Sequence, residues 1–77
     1  MKELILTIAK ALVDKPEEVR VTERKKDRLT VLELHVAPGD MGKVIGRQGR
    51  IANAIRNVLK AYAIKNNVHV VLDIMDN

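Results

Sequence analysis

The chain has 77 residues, of which 47% are hydrophobic and 31% are charged, and its net charge is +4. This composition is typical of a globular protein, and the length fits one small domain and leaves no room for a second. Cysteine and serine are absent, which excludes disulfides, a thiolate zinc site and a Ser-His-Asp triad. No apolar run approaches the roughly 18 residues of a membrane span and no signal peptide is recognisable, so we expect a soluble, cytoplasmic protein.

The first half of the chain predicts a helix followed by a β-hairpin. Apolar residues recur at helical spacing until Pro16 ends the pattern: Leu4, Ile8, Ala11 and Leu12. Alternating apolar and polar residues then predict a first strand over Val19–Thr22 and a second over Leu29–Ala37. The polar segment Lys25–Arg28 between them is typical of a turn.

The second half predicts two helices and a last strand. Asp40 is a suitable N-cap for a short helix that begins at Met41. A longer amphipathic helix follows Gly49 and is stopped by Asn66 and Asn67. One apolar stripe marks its course: Ile51, Ala54, Ile55, Val58, Leu59, Tyr62 and Ala63. Alternation resumes over Val68–Met75, which predicts a largely buried strand.

This order of elements predicts an α+β fold with a mixed three-stranded sheet. Two helices connect the second strand to the third, so these two strands should be parallel, whereas the hairpin makes the first strand antiparallel. With all three helices on one face of the sheet, residues 1–77 form a single domain.

The positive charge is concentrated in the middle of the chain. Residues 1–40 carry eight basic and eight acidic side chains, whereas residues 41–67 carry six basic side chains and no carboxylate. Such a block indicates a polyanionic partner. A helix face that is basic and merely solvated would give the same pattern, and charge alone does not separate the two interpretations.

All four glycines fall between Gly39 and Gly49, where the chain must turn from one helix into the next. In the segment V-I-G-R-Q-G-R-I, Gly46 and Gly49 let the backbone pass tightly between two helices. The positive N-terminal end of the second helix then suits a phosphate, with Arg47 and Arg50 beside it. A plain helix-turn-helix corner is the alternative, but the adjoining basic block and the element order favour a binding loop.

With these features the chain resembles the KH domain, whose G-x-x-G loop clamps about four nucleotides by their backbone. The order α-β-β-α-α-β resembles the type II arrangement, and the likeness extends over the whole chain. A single KH domain of this size is similar to the small bacterial proteins of the KhpA family. This resemblance implies binding of single-stranded RNA, an RNA-chaperone role, and either a homodimer or pairing with a larger KhpB/Jag-like protein.

The resemblance assigns the RNA-binding loop to Gly46, Arg47, Gln48 and Gly49, followed by Arg50. We expect Lys43 to add charge from the preceding helix, and Ile45 to belong either to the groove floor or to the core. Gln48 either bonds the RNA or is a solvated loop tip. Farther along the helix, Arg56 and Lys60 are expected to act as diffuse charge rather than as contacts.

No catalytic or metal-binding constellation can be assembled, so we expect neither an enzyme nor a cofactor. The two histidines, His35 and His69, fall on the outward parity of their strands and could neighbour each other, but no third ligand accompanies them. The alternative function is a protein-interaction or dimerisation adapter that uses the KH fold without RNA. Its surface would be an apolar patch on the open sheet face: Leu29, Val31, Val71 and Met75.

Overall fold

The computed structural model describes all residues from Met1 to Asn77 and has the element order α-β-β-α-α-β. The helices and strands are α1 (Lys2–Leu12), β1 (Arg20–Lys26), β2 (Leu29–Val36), α2 (Met41–Ile45), α3 (Arg50–Lys65) and β3 (His69–Asp76). Short 3-10 turns precede β1, α2 and α3. The predicted α+β order is therefore confirmed. None of the helices combines the length and the hydropathy that crossing a membrane requires.

The β1–β2 hairpin is longer and its turn tighter than the sequence predicts. β1 is antiparallel to β2 from Arg20, which is opposite His35, to Lys26, which is opposite Leu29. The turn therefore contains only Asp27 and Arg28, and Asp27 has a φ of 56°. The sequence predicts a strand that ends at Thr22 because Glu23–Lys26 has no apolar alternation. β1 is an edge strand that is held by backbone pairing with β2 and buries only Val21.

The sheet has the order β1-β2-β3, with β3 parallel to the central strand β2, as predicted. The connection between β2 and β3 consists of α2 and α3, so the loop between these helices lies within the crossover. Both β1 and β3 are edge strands. The free edge of β3 lies beside α3.

The core lies between one face of the sheet and the helices. Burial along β2 alternates, with Leu32, Leu34 and Val36 fully buried on the helix side. Side chains from every helix and from the edge strands complete this core: Ile5, Ala9, Val19, Val21, Val44, Ile55, Leu59 and Leu72. The predicted arrangement of helices on one face is thus confirmed, and the other face of the sheet is left uncovered.

Only part of the apolar stripe on α3 faces the core. Ile55, Leu59 and Ala63 are buried, whereas Val58 and Tyr62 are exposed. The sheet contacts only the face of α3 that carries Ile55, Leu59 and Ala63, which are spaced four residues apart. The apolar stripe is wider than this buried face, so Val58 and Tyr62 lie outside the contact. The prediction of an amphipathic helix here is confirmed.

Asp40 does not cap α2 with its side chain, contrary to the sequence prediction. The residue is 4% exposed, and its carboxylate accepts hydrogen bonds from the backbone N–H groups of Lys15, at 3.0 Å, and of Asp14, at 3.3 Å. Those amides belong to the segment that leaves α1. Asp40 therefore joins the end of α1 to the start of α2, which a local capping rule cannot foresee.

Candidate nucleic-acid interface

The turn between α2 and α3 begins at a position that only glycine can occupy. Gly46 has φ 79° and ψ 172°, and its N–H donates to the carbonyl of Gly42 at 2.9 Å. A Cβ built on Gly46 would lie 2.6 Å from Cγ1 of Ile51 and 2.9 Å from its backbone nitrogen. Positive φ and lack of space both exclude a larger residue here. The close passage predicted from the sequence is found at this glycine.

Gln48 and Gly49 complete the turn in the left-handed region. Gln48 has φ 56° and ψ 26°, and Gly49 has φ 75° and ψ 14°. The N–H of Gly49 donates to the carbonyl of Gly46 at 3.1 Å, which closes the loop on itself. A Cβ on Gly49 would meet nothing closer than the side-chain nitrogen of Asn53, at 3.9 Å. Gly49 is thus required by its backbone conformation, not by close packing.

The N terminus of α3 is free of side-chain caps and close in sequence to two arginines. Gly49 is its N-cap residue, and no side chain accepts from the first-turn amides. Arg47 and Arg50 are exposed, and neither has a carboxylate within ion-pair distance. The only side-chain bond at the loop joins Arg50 Nη2 to the Gln48 oxygen at 3.5 Å. The loop therefore carries two uncompensated cations next to the positive end of a helix dipole.

Lys43 and Ile45 are held by other parts of the fold. The ammonium of Lys43 lies 3.3 Å from a carboxylate oxygen of Asp14 and 3.7 Å from one of Asp40. Its charge is therefore already partly compensated, unlike that of the two loop arginines. Ile45 is half-buried and packs against the core cluster.

A groove runs between α3 and the edge strand β3. It consists of two adjoining cavities of about 480 and 260 Å³, which share Lys60, Val70 and Val71 among their lining residues. The lining combines apolar side chains with cations from α3 and from the hairpin turn: Arg28, Arg56, Leu59, Lys60, Ala63, Ile64 and Leu72. No acidic residue lines it. The groove is thus suited to an anionic ligand that has apolar parts.

Arg56 bridges this groove to the backbone of β3. Its Nη2 donates to the carbonyl oxygen of Leu72 at 3.2 Å, and no carboxylate pairs with it. Along β3, the N–H groups of His69 and Asn77 donate to carbonyls on the β2 side, at 2.8 and 2.9 Å. Because backbone groups alternate along a strand, those of Leu72 point to the free edge. One accessible backbone acceptor and one unpaired guanidinium therefore meet in the groove.

Arg56 and Lys60, expected from the sequence to act as diffuse charge, both line this groove. The signal that could have identified them is their four-residue spacing on a helix without carboxylates, next to an apolar strand. The predicted proximity of the two histidines is wrong. The register places His69 opposite Leu29 and His35 opposite Met75, at opposite ends of the β2–β3 pair.

A family model described as "KhpA/KhpB, KH domain" matches residues 2–74. The RNA-binding protein KhpA of Clostridium acetobutylicum is 60% identical over 75 residues, which cover 97% of this chain and 100% of the relative. KhpA of Clostridium perfringens is 61% identical with the same coverage. KhpA of Aquifex aeolicus is 46% identical over 99% of this chain and 96% of its own length. No solved structure gives a significant match.

Proposed function

Because the chain belongs to the KhpA/KhpB family of KH domains, we propose that it is a non-catalytic, cytoplasmic protein that binds single-stranded RNA. The observation that carries the proposal is the strained turn Gly46–Gly49, which presents two unpaired arginines at the start of α3. The family relationship supports RNA as the ligand, since the relatives are named RNA-binding proteins.

The phosphates of the RNA would lie against the loop backbone. Amides at the N terminus of α3 donate to phosphate oxygens, and the helix dipole favours negative charge at that end. Arg47 and Arg50 add charge-assisted hydrogen bonds because no carboxylate competes for them. Gln48 contributes a side-chain amide from the loop tip. Lys43 would contribute less, since a phosphate has to compete with Asp14 and Asp40 for its ammonium.

The bases would lie in the groove between α3 and β3. This groove continues along the helix that begins at the loop, so a strand held there by its phosphates can direct its bases towards Leu59, Val70 and Leu72. Ile45 belongs to the supporting core at the loop end and stays a secondary candidate. Arg56 and Lys60 border the groove at about 9 and 15 Å from Arg50 along the helix axis, at 1.5 Å per residue.

The affinity of one such domain should be low and strongly dependent on salt. Tyr62, the only aromatic residue, does not line the groove, so the stacking energy of about 1–3 kcal/mol per base is missing. Electrostatic contacts then supply most of the binding free energy. A low affinity that tolerates many sequences fits an RNA-chaperone role. It also favours action as a homodimer or beside a larger KhpB/Jag-like protein, because two linked sites bind more tightly than one.

The test of the loop is the double substitution Arg47→Asp/Gln48→Asp, which places two carboxylates at the loop and keeps both glycines. We expect RNA binding, measured by fluorescence anisotropy with a labelled single-stranded octanucleotide, to be lost while the circular dichroism spectrum stays native. The matched control is Lys2→Asp/Thr7→Asp on the exposed side of α1, which lowers the net charge by the same three units. Acid at position 2 is favourable at the start of α1, and position 7 is exposed, so this control should fold and bind RNA. Normal binding by the loop variant would exclude the loop as the site.

The open face of the sheet favours a second function, that of an adapter in protein assembly. Leu29 and Val71 are 39% and 44% exposed on this face, Val31 is paired with Val71 in the register, and Met75 lies farther along β3. Arg24 and Lys26 of β1 flank this apolar strip on one side, whereas Asp73 lies within it on β3, between Val71 and Met75. A two-fold axis parallel to the strands would place β1 of one copy, with its basic side chains, over β3 of the other, which carries Asp73. This symmetry supports self-association through the sheet.

Leu29→Glu tests the adapter function, with Leu4→Glu on α1 as a control of similar exposure, 45%. If the sheet face joins two copies, analytical ultracentrifugation should find a dimer for the wild type and for Leu4→Glu, and a monomer for Leu29→Glu. Equal masses for all three would exclude the sheet as the interface. Loss of the dimer with unchanged RNA binding would separate the two functions.

A further inference from the structure

A cavity of about 530 Å³ lies on the other side of α3 from the groove, between the start of α1 and the end of α3. The hairpin end of the sheet forms its floor through Glu23, Lys25 and Thr30, and Tyr62 and Asn66 of α3 form one wall. We propose that this α1–α3 cavity is a second RNA subsite, in which a base beyond those held by the loop and the groove stacks on Tyr62. The inference rests on the proposed RNA-binding function.

The lining of the α1–α3 cavity suits a nucleobase better than it suits a phosphate. Acidic and basic side chains line it in equal number, and Lys25 lies 3.3 Å from Glu23, so the lining has no net positive charge. It nevertheless offers both donors and acceptors, which the polar edge of a base requires. Tyr62 is 44% exposed and adds an aromatic ring, which the groove lacks. A neutral, planar and polar group that stacks on this ring therefore fits the site.

The hydroxyl of Thr30 is an unused hydrogen-bonding group at the floor of the α1–α3 cavity. Thr30 is 9% exposed, and its hydroxyl forms no hydrogen bond within the protein. No side-chain polar atom is both sealed from solvent and unpartnered, so this oxygen faces the cavity. On the wall, Asn66 Nδ2 donates to the carbonyl of Tyr62 at 2.9 Å, which leaves the Asn66 side-chain oxygen as a free acceptor. A base that bonds to these groups satisfies them.

The α1–α3 cavity adjoins the end of the groove, so one strand can pass from one to the other. Val68, between α3 and β3, lines both. The distance along α3 from Arg50 to Asn66 is about 24 Å at 1.5 Å per residue. Eight nucleotides cover about 27 Å even at the duplex rise of about 3.4 Å per nucleotide, whereas a KH loop clamps about four. Arg28 lines the same end of the groove without a carboxylate partner and suits the phosphate that passes there.

Tyrosine fluorescence provides the first test, because Tyr62 is the only aromatic residue in the chain. An A octamer should quench this fluorescence through the stacked base, whereas an A tetramer should bind, as measured by anisotropy, without quenching it. Two further octamers carry four abasic nucleotides, one at the 5′ end and the other at the 3′ end. One of the two should fail to quench, which identifies the end of the strand that enters the cavity.

Tyr62→Leu provides the second test, since it removes the ring and keeps an apolar side chain. We expect the A octamer to bind this variant at least about 5-fold more weakly, the lower end of what one stacked base contributes, and the tetramer to bind as before. Tyr62→Phe keeps the ring and should keep the affinity for the octamer. The matched control is Val58→Leu, one turn earlier on the exposed side of α3, which should bind both strands like the wild type.

Three results would overturn the proposal while RNA binding itself stands. The first is equal affinity of the wild type and Tyr62→Leu for the octamer, and the second is equal quenching by the tetramer and the octamer. The third is quenching by free adenosine at the same concentration, because the cavity would then take nucleosides independently of the strand. Failure of both the tetramer and the octamer to bind would instead reject the proposed function.

Discussion

Gly46 and Ile51 are packed so closely that a single added carbon atom would collide with the first turn of α3, at 2.6 Å from Cγ1 of Ile51. The turn is therefore pressed against the helix whose N terminus it exposes. Ile51 is itself half-buried against the core. The shape of the loop is consequently set by the packing of the free protein and does not need a ligand to form it.

Gly46→Ala should destabilise the protein by about 2–5 kcal/mol. The substitution combines a left-handed backbone, which costs about 1–2 kcal/mol outside glycine, with overpacking against Ile51, which costs about 1–3 kcal/mol. Because the atoms in the way include the backbone nitrogen of Ile51, a simple side-chain rotation cannot relieve the collision. Urea denaturation followed by circular dichroism measures the change in the free energy of unfolding.

Gly49→Ala is the matched comparison, since Gly49 has a similar φ of 75° but no neighbour within 3.4 Å of the added carbon. Its cost should be limited to the backbone contribution, about 1–2 kcal/mol. Equal destabilisation by the two substitutions would contradict the role assigned to Ile51.

Asp40 should contribute more to stability than its ion pair with Lys43 does. Asp40→Ala leaves the amides of Asp14 and Lys15 without their acceptor, and we expect a loss of about 2–4 kcal/mol because hydrogen bonds to a buried charge are strong. Lys43→Met should cost less than about 1 kcal/mol, since its pairs are partly exposed and screened by solvent. Urea denaturation of both variants checks the ranking. An Asp40→Ala variant as stable as Lys43→Met would show that the backbone bonds contribute little.

The regular periodicities of this sequence predict most of the fold. α1, β2 and α3 each bury residues at the spacing of their secondary structure, so local patterns identify them. β3 is a strand as predicted, but only Leu72 is buried in it, so the prediction of a largely buried strand is wrong because the outer face of the sheet is uncovered. β1 was predicted too short because Glu23–Lys26 has no buried side chain and is held by pairing with β2. The position of Gly46 was predictable from the motif, but its contact with Ile51 depends on how the loop folds back.

Two features could not be predicted because they depend on contacts between distant segments. The acceptors of Asp40 are used by amides 25 and 26 residues earlier in the chain, which no local rule detects. The spacing of Arg56 and Lys60 identifies that face of α3, but the Leu72 carbonyl as the partner of Arg56 follows only from the topology, which places the free edge of β3 beside α3. In both cases the sequence shows that a charged side chain is present but does not show which group it contacts.

Asp73→Asn should stabilise the protein by about 0.5 kcal/mol. Asp73 lies opposite Glu33 in the β2–β3 register, and like charges on neighbouring strands are destabilising. Arg24 pairs with Glu33 at 3.3 Å and leaves Asp73 uncompensated. The gain should shrink as salt is raised, because salt screens the repulsion. Thermal unfolding at low and high ionic strength checks both points, and a lower midpoint for Asp73→Asn at low salt would contradict the repulsion.

The salt dependence of RNA binding should report which cations contact phosphates. If about three phosphates are neutralised, the logarithm of the affinity should fall with the logarithm of salt concentration with a slope near −2, at about −0.7 per phosphate. Arg47→Ala and Arg50→Ala should each reduce the slope by about 0.7, because both side chains lack carboxylate partners. Lys43→Ala should change it less, since Asp14 and Asp40 already compensate that charge. Anisotropy titrations between about 50 and 200 mM salt measure these slopes. Lys10→Ala on α1 is the control and should keep the wild-type slope. If Lys43→Ala reduced the slope as much as Arg47→Ala, the RNA would be displacing the ion pairs of Lys43 on binding.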